Sequence, residues 1–239
     1  MTLKYRGYTR EQIAKTIDHS VLRPEFTTAD IRAGAQIARD FDVASYCIRP
    51  TDVRLAAQLL AGSGVPVCTV IGFPHGTTTS ATKAFETADA IANGATEIDM
   101  VLNVSALISG DYDLVRDDIA AVVQSAHAAA SAKGVSASVK VIFETSLLND
   151  ELIVKACELT EAAGADYVKT STGFSSEGAT VHNVALMKKT VGDRLKVKSS
   201  GGVRTLDQLC DFMDLGVTRS GSSNTVAIFA DFDRLATES

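Results

Sequence analysis

Eight short apolar runs, separated by amphipathic or alanine-rich stretches, limit what this chain can fold into. They span residues 17–22, 44–48, 66–71, 97–102, 138–143, 167–170, 195–198 and 217–220. Apolar runs of this length, bounded by turn residues, read as buried strands. They recur at roughly 25–35 residues, the length of one βα repeat. The last run, Val217-Thr218-Arg219-Ser220, is short and polar and is the weakest of the set.

Helices fit between the runs, over residues 27–41, 53–60, 79–93, 112–133, 151–163 and 181–191. Thr27-Thr28-Ala29-Asp30 and Thr205-Leu206-Asp207-Gln208 carry the capping-box spacing that opens a helix. Gly164, Gly192 and Gly216 stand where helices stop. A short helix over 224–229 follows the last strand. Thr9-Arg10-Glu11-Gln12 starts a small helix outside the repeat. Eight strands with nearly as many helices are most simply closed as an α/β (β/α)8 (TIM) barrel. The expectation is one domain over 1–239 with a short additional N-terminal helix. A doubly wound open sheet is the alternative. No Gly-x-Gly-x-x-Gly follows an early strand, which counts against it.

Composition narrows the function. The chain has 239 residues, 46% hydrophobic, and can bury one large core. Its formal charge is -6 and it has no basic tract, which argues against nucleic acid as a partner. No run approaches a membrane span, and residues 1–6 lack an apolar signal core. Cys47, Cys68, Cys157 and Cys210 have neither disulfide-framework nor metal-knuckle spacing. They read as buried free thiols in a cytoplasmic protein. His19, His75, His127 and His182 show no metal-ligand spacing, so no metal or other cofactor is expected.

In such a barrel, reactive groups come from the C-terminal ends of the strands. Asp18, Cys47, Asp99, Lys140, Lys169 and Lys198 all fall in strand segments. Cys47 has no paired base and reads as a structural thiol. Lysine is rarely buried without a partner, and three of them sit on the fifth, sixth and seventh strands. A lysine amine attacks a carbonyl only after losing its proton, and its ordinary pKa is about 10.4. Burial and a neighbouring ammonium both favour the neutral form. Lys198 is one strand from Lys169, and Lys140 is expected on its other side. Asp99 shares a strand face with Glu97 and Val101, as a proton-transfer group or as the partner of a structural ion pair. Asp18 is a weaker candidate, with His19 facing the opposite way.

Ser200-Gly201-Gly202 is expected to end the seventh strand. Ser220-Gly221-Ser222-Ser223 is expected to end the eighth and open a short helix. Exposed backbone N–H groups and hydroxyls in these two loops suit phosphate.

These segments, together with Val70 to Gly76, the runs 97–103 and 139–145, and Val168-Lys169-Thr170-Ser171-Thr172-Gly173-Phe174, resemble the deoxyribose-phosphate aldolase family over about residues 16–230. The resemblance implies a (β/α)8 barrel. It also implies a class I aldolase that reversibly cleaves 2-deoxy-D-ribose 5-phosphate to D-glyceraldehyde 3-phosphate and acetaldehyde. By that resemblance Lys169 is the Schiff-base lysine, and Lys198 is the partner whose charge favours the neutral amine. Asp99 serves proton transfer with an ordered water, and Lys140 orients or neutralises Asp99. Gly201, Gly202, Gly221, Ser222 and Ser223 contact phosphate. Asp18 and Thr170 lie near the sugar hydroxyls. A homodimer or homotetramer is implied.

The chain departs from the family pattern at several positions. Arg49 stands where Asn is usual, and Tyr46 replaces a smaller residue. The segment 218–220 is more polar, and Asn224 replaces a frequent glycine. Another Schiff-base aldolase, a phosphosugar-binding barrel without catalysis, and a metal-dependent lyase are the competing readings.

Overall fold

The computed structural model describes residues 2–238; Met1 and Ser239, the ends of the expected 1–239 span, lie outside that description. Eight parallel strands close into a barrel. They are β1 (Ile17–Val21), β2 (Ser45–Ile48), β3 (Val67–Ile71), β4 (Glu97–Val101), β5 (Ser138–Ile142), β6 (Tyr167–Lys169), β7 (Lys196–Ser200) and β8 (Arg219–Ser222). Each pairs with its sequence neighbours, and β8 closes on β1. Helices follow the strands, so the fold is the (β/α)8 barrel.

Strands one to six lie within the expected runs. The last two do not. β7 and β8 run about two residues further than expected, because register with neighbours sets a strand's end and apolarity does not. Gly221 pairs with both Asp18 and Ser200. Gly221 and Ser222 therefore belong to β8 itself, not to the loop after it.

Local chemistry starts the helices. Thr27 with Asp30 opens Thr28–Asp40, Thr205 with Gln208 opens Leu206–Asp214, and Thr9 with Gln12 opens Arg10–Ala14; all three are reciprocal capping boxes. The small N-terminal helix buries Ile13 and Ala14 beside the start of β2, where the Ala44 N–H donates to the Ala14 carbonyl at 3.1 Å. The last helix, Thr225–Leu235, outruns the expected 224–229 because Ile228, Phe229 and Phe232 give it a buried face. Two features have no counterpart in the sequence reading. One is a three-stranded antiparallel sheet of Leu3–Tyr5, Tyr8–Thr9 and Thr237–Glu238. The other is a short helix, Val104–Ile108. No described helix is long and apolar enough to cross a membrane.

The apolar core lies between strands and helices. Tyr46 is wholly buried there and its hydroxyl donates to the Ile31 carbonyl at 2.8 Å. A Cβ on Gly34 would lie 2.8 Å from that hydroxyl, so Gly34 makes the room Tyr46 needs. His19 faces this outer layer, opposite to Asp18. Its Nδ1 lies 2.9 Å from Thr225 Oγ1, and burial pushes its pKa down to about 4.

A histidine buried neutral stabilises the fold fully above its unfolded pKa of about 6.5. That contribution is lost as pH falls toward 4. Urea unfolding followed across this window should show a loss on the order of 3 kcal/mol, and His19→Asn should flatten the decline.

Candidate active site

Strand alternation and barrel register place six charged side chains inside the barrel. Asp18 comes from β1, Glu97 and Asp99 from β4, Lys140 from β5, Lys169 from β6 and Lys198 from β7. Arg219, from β8, makes a seventh. Lys169 and Lys198 are direct register partners, as are Asp99 and Lys140. Lys140 is not opposite Lys169, however. Ile142 takes that position, so Lys140 sits lower in the barrel than expected.

Asp99 is the centre of the cluster. Its Oδ2 accepts hydrogen bonds from Lys169 Nζ at 2.7 Å and Lys198 Nζ at 2.6 Å. Its Oδ1 accepts from Lys140 Nζ at 2.9 Å and Cys68 Sγ at 3.2 Å. Lys140 also donates to Glu97 Oε2 at 2.7 Å. Lys198 Nζ lies 2.5 Å from Asp18 Oδ2, an ion pair without hydrogen-bond alignment. Arg219 bridges Asp18 and Glu97 beneath. That inward guanidinium and the 2.6 Å hydroxyl contact of Ser220 with Ser199 account for the polar residues 219 and 220.

Burial and pairing compete at every member. Burial opposes the Asp99 charge, yet Lys140, Lys169 and Lys198 hold its pKa well below the usual carboxylate range. Burial likewise opposes the charge on Asp18, which Lys198 and Arg219 hold low. Lys198 and Lys140 are also penalised by burial. Asp18 and Asp99 keep Lys198 above the ordinary lysine value, and Asp99, with Glu97 contributing, does so for Lys140. Both remain ammonium groups near neutral pH.

Above this cluster opens a cavity of about 460 Å³, with Lys169 and Lys198 among the residues of its wall. Asp99 and Lys140 do not line it. Both are wholly buried below, and Asp99 is hydrogen-bonded to the two cavity-lining lysines. Asp18 lines the wall. Thr170 does not: its hydroxyl donates to the Ser200 carbonyl at 3.1 Å and accepts from the Ser200 N–H at 3.0 Å, joining β6 to β7. Among residues of its loop, Thr172, Gly173 and Phe174 line the cavity instead. The Thr172 hydroxyl is engaged by buried Glu144.

Gly201, Gly202, Gly221, Ser222 and Ser223 gather at the same wall. Gly201 and Gly202 have φ of 82° and 80°, which disfavours a side chain. A Cβ on Gly178 would lie 2.0 Å from the Gly201 carbonyl oxygen, so the two loops meet backbone to backbone. Ser222 is partly committed. Its hydroxyl donates to the Val203 carbonyl at 2.7 Å and accepts from the Asn224 N–H at 3.0 Å. Ser200 also lines the cavity, and its buried hydroxyl has no protein partner among the described residues.

Sequence reasoning placed Ser200 in a phosphate-type loop but missed Arg219, Cys68 and the cationic mouth residues Arg23 and Arg204. Glu97 was legible only as a face-mate of Asp99. Arg49, the departure noted in the sequence, has a function in the fold. Its Nη1 donates to the carbonyls of Arg23 and Pro24 at 3.1 and 3.2 Å, while its Nε donates to Asp52 at 2.7 Å. It thereby straps down the loop after β1, which carries the cavity residues Leu22, Arg23 and Phe26.

A profile described as DeoC/LacD family aldolase matches residues 12–222. The chain belongs to the DeoC/LacD aldolase family. It is 56% identical over 218 residues to the deoxyribose-phosphate aldolase of Lysinibacillus sphaericus (strain C3-41), covering 91% of this chain and 95% of that one. It is 54% identical over 226 residues to the corresponding aldolase of Bacillus mycoides (strain KBAB4), covering 95% and 98%. Among solved structures, the tetrameric deoxyribose phosphate aldolase from Aeropyrum pernix matches with a TM-score of 0.86 at 29% identity, covering 95% of this chain and 93% of that one. The charged interior thus belongs to an aldolase barrel.

If Arg49 holds the β1 loop, Arg49→Ala should speed amide hydrogen exchange in residues 22–26. A hydrogen bond to a charged group contributes about 1.5–3 kcal/mol, so the acceleration should be about tenfold or more. Exchange in β4 and β5 should be unchanged.

Proposed function

We propose that this aldolase reversibly cleaves 2-deoxy-D-ribose 5-phosphate to D-glyceraldehyde 3-phosphate and acetaldehyde, through a Schiff base on Lys169. One observation carries the choice of lysine. Four basic side chains meet three carboxylates in the barrel. Lys140, Lys198 and Arg219 each face two carboxylates. Lys169 touches Asp99 alone, at an oxygen it shares with Lys198. Releasing the Lys169 amine as a free base therefore breaks the least ion pairing. It is also the lysine that ends β6 at the cavity wall.

In the synthetic direction the Lys169 amine attacks acetaldehyde to give a carbinolamine. Loss of water gives an iminium, whose positive nitrogen acidifies the adjacent methyl. Proton removal gives an enamine, and its carbon attacks the aldehyde of glyceraldehyde 3-phosphate. Water then hydrolyses the product iminium and frees Lys169. Asp99 and Lys198 form the proton-transfer pair at the amine, and Lys140 fixes Asp99 from below. Asp18 anchors Lys198 and adds a carboxylate near the sugar hydroxyls. Thr170 supports the site by holding β6 to β7 through its hydroxyl.

The phosphate end is assigned to Gly201, Gly202, Gly221, Ser222 and Ser223, with Ser200 as a further donor. Binding there orients the reacting carbon from a distance. The proposed assembly is a homodimer or homotetramer of one-domain subunits in the cytoplasm, as supported by the tetrameric structure of the A. pernix enzyme.

Borohydride reduction in the presence of acetaldehyde, followed by peptide mass mapping, tests the assignment. The reduced adduct should lie on Lys169 and be absent from Lys169→Leu. An adduct on Lys140 or Lys198, or none on folded protein, contradicts it. Gly178→Ala should disturb the phosphate loop selectively. KM for deoxyribose 5-phosphate should rise by about tenfold or more, about 1.4 kcal/mol of lost binding. Turnover of unphosphorylated deoxyribose should change less.

A further inference from the structure

A second constellation lies against the opposite side of Asp99. Cys47 on β2 and Cys68 on β3 are direct register partners, and both face the barrel interior. Their sulfurs and a carboxylate oxygen of Asp99 all lie within 4.8 Å of one another. Cys68 Sγ already donates to Asp99 Oδ1 at 3.2 Å. All three residues are buried, and Cys47 borders the cavity, which supplies a path from solvent. Val70, Leu22 and Phe73 pack around the two thiols. The proposed reaction uses neither sulfur.

We propose that Cys47, Cys68 and Asp99 form a binding site for a thiophilic divalent cation, zinc or cadmium, whose occupancy inhibits the enzyme. Two sulfurs and one carboxylate oxygen are a borderline-soft donor set suited to these ions. Zinc–sulfur and zinc–oxygen bonds of about 2.3 and 2.1 Å put tetrahedral ligand atoms roughly 3.4–3.8 Å apart. The three ligand atoms now lie within 4.8 Å of one another, so ligation requires them to close up around the ion. The fourth position is left to water from the cavity.

The charge balance permits the exchange, and the ion must displace Lys140 Nζ from its contacts with Cys68 Sγ at 3.5 Å and Asp99 Oδ1 at 2.9 Å. Each thiol gives up its proton on binding, so two protons leave as one dication enters. The net charge of the buried network is unchanged. The bond from Cys68 to Asp99 Oδ1 is replaced by a metal–oxygen bond. Asp99 then shares its charge with the metal and is withdrawn as a proton acceptor beside Lys169. The inhibitory half of the proposal rests on the aldolase reading above; the binding half does not.

The test uses full-length protein, reduced with a phosphine so that no added thiol competes. Cadmium alone is titrated in while the thiolate-to-cadmium charge-transfer absorbance is followed. One equivalent should saturate the band. Cys47→Ser and Cys68→Ser should each weaken binding by about a hundredfold or more, and Cys157→Ser should not. Absence of the band at one equivalent, or its persistence in the Cys47→Ser/Cys68→Ser double variant, overturns the site. If a variant fails to fold, X-ray absorption on the zinc-loaded wild type decides. Two sulfur ligands are expected, and none refutes the proposal. In parallel, one equivalent of zinc should suppress deoxyribose 5-phosphate cleavage, and a chelator should restore it. Saturated binding with undiminished activity overturns the inhibitory half alone. Protein without any aldolase activity overturns the aldolase reading, while the cadmium band still decides the site.

Discussion

A single carboxylate with no solvent exposure organises the interior of this barrel. Asp99 accepts hydrogen bonds from three ammonium groups at 2.6–2.9 Å. Removing such charges from water costs several kcal/mol per ion even after relaxation, and only dense pairing offsets it. Lys140 and Lys198 can stay charged because Asp99, Glu97 and Asp18 surround them. Arg219 is needed below because Asp18 and Glu97 would otherwise repel each other and lose a partner. An ordinary barrel of this kind fills its interior with branched apolar side chains. Here much of that filling is ionic, and the apolar core lies outside the strands, between them and the helices.

The same arrangement fixes the position of Lys169. Lys169 is held on a strand, with its amine bonded to a group that is itself bonded on both oxygens. The amine is thereby held in one place before any ligand enters the cavity. The mouth is built differently, from backbone. Gly178 meets Gly201 without side chains, Gly201 and Gly202 occupy left-handed conformations, and Arg49 ties down the loop after β1. Charge sets the floor of the cavity, and loop sterics set its rim.

Much of this was legible from residue patterns. The eight runs marked the strands because a strand buried on both faces needs sustained apolarity. The capping boxes marked helix starts because they satisfy backbone N–H groups locally. Lys140, Lys169, Lys198 and Asp99 stood out as charges in apolar strands. That signal is not specific by itself. Lys83 is equally buried on the helix Ser80–Asn93, yet it lies outside the barrel, donating to the Val101 carbonyl and to Asp118. Thr170 shows the converse. Its neighbour Lys169 faces the cavity, and alternation turns Thr170 away. Arg219 was hidden in the weakest strand, whose polarity obscured the strand and also disguised an interior cation.

The sequence by itself determined the βα repeat, the helix starts and the residue types available for amine chemistry. These depend on local periodicity and local hydrogen bonding, which neighbours in the chain define. Tertiary structure alone decided that Asp99 lies beneath the lysines and away from the cavity, and that Lys140 sits a step below Lys169. It also decided that Arg219 closes the ion network and that Cys47 meets Cys68. Those relations depend on strand register around a closed barrel. A shift of one residue would turn every side chain to the other face, and register is fixed only when all eight strands pair at once.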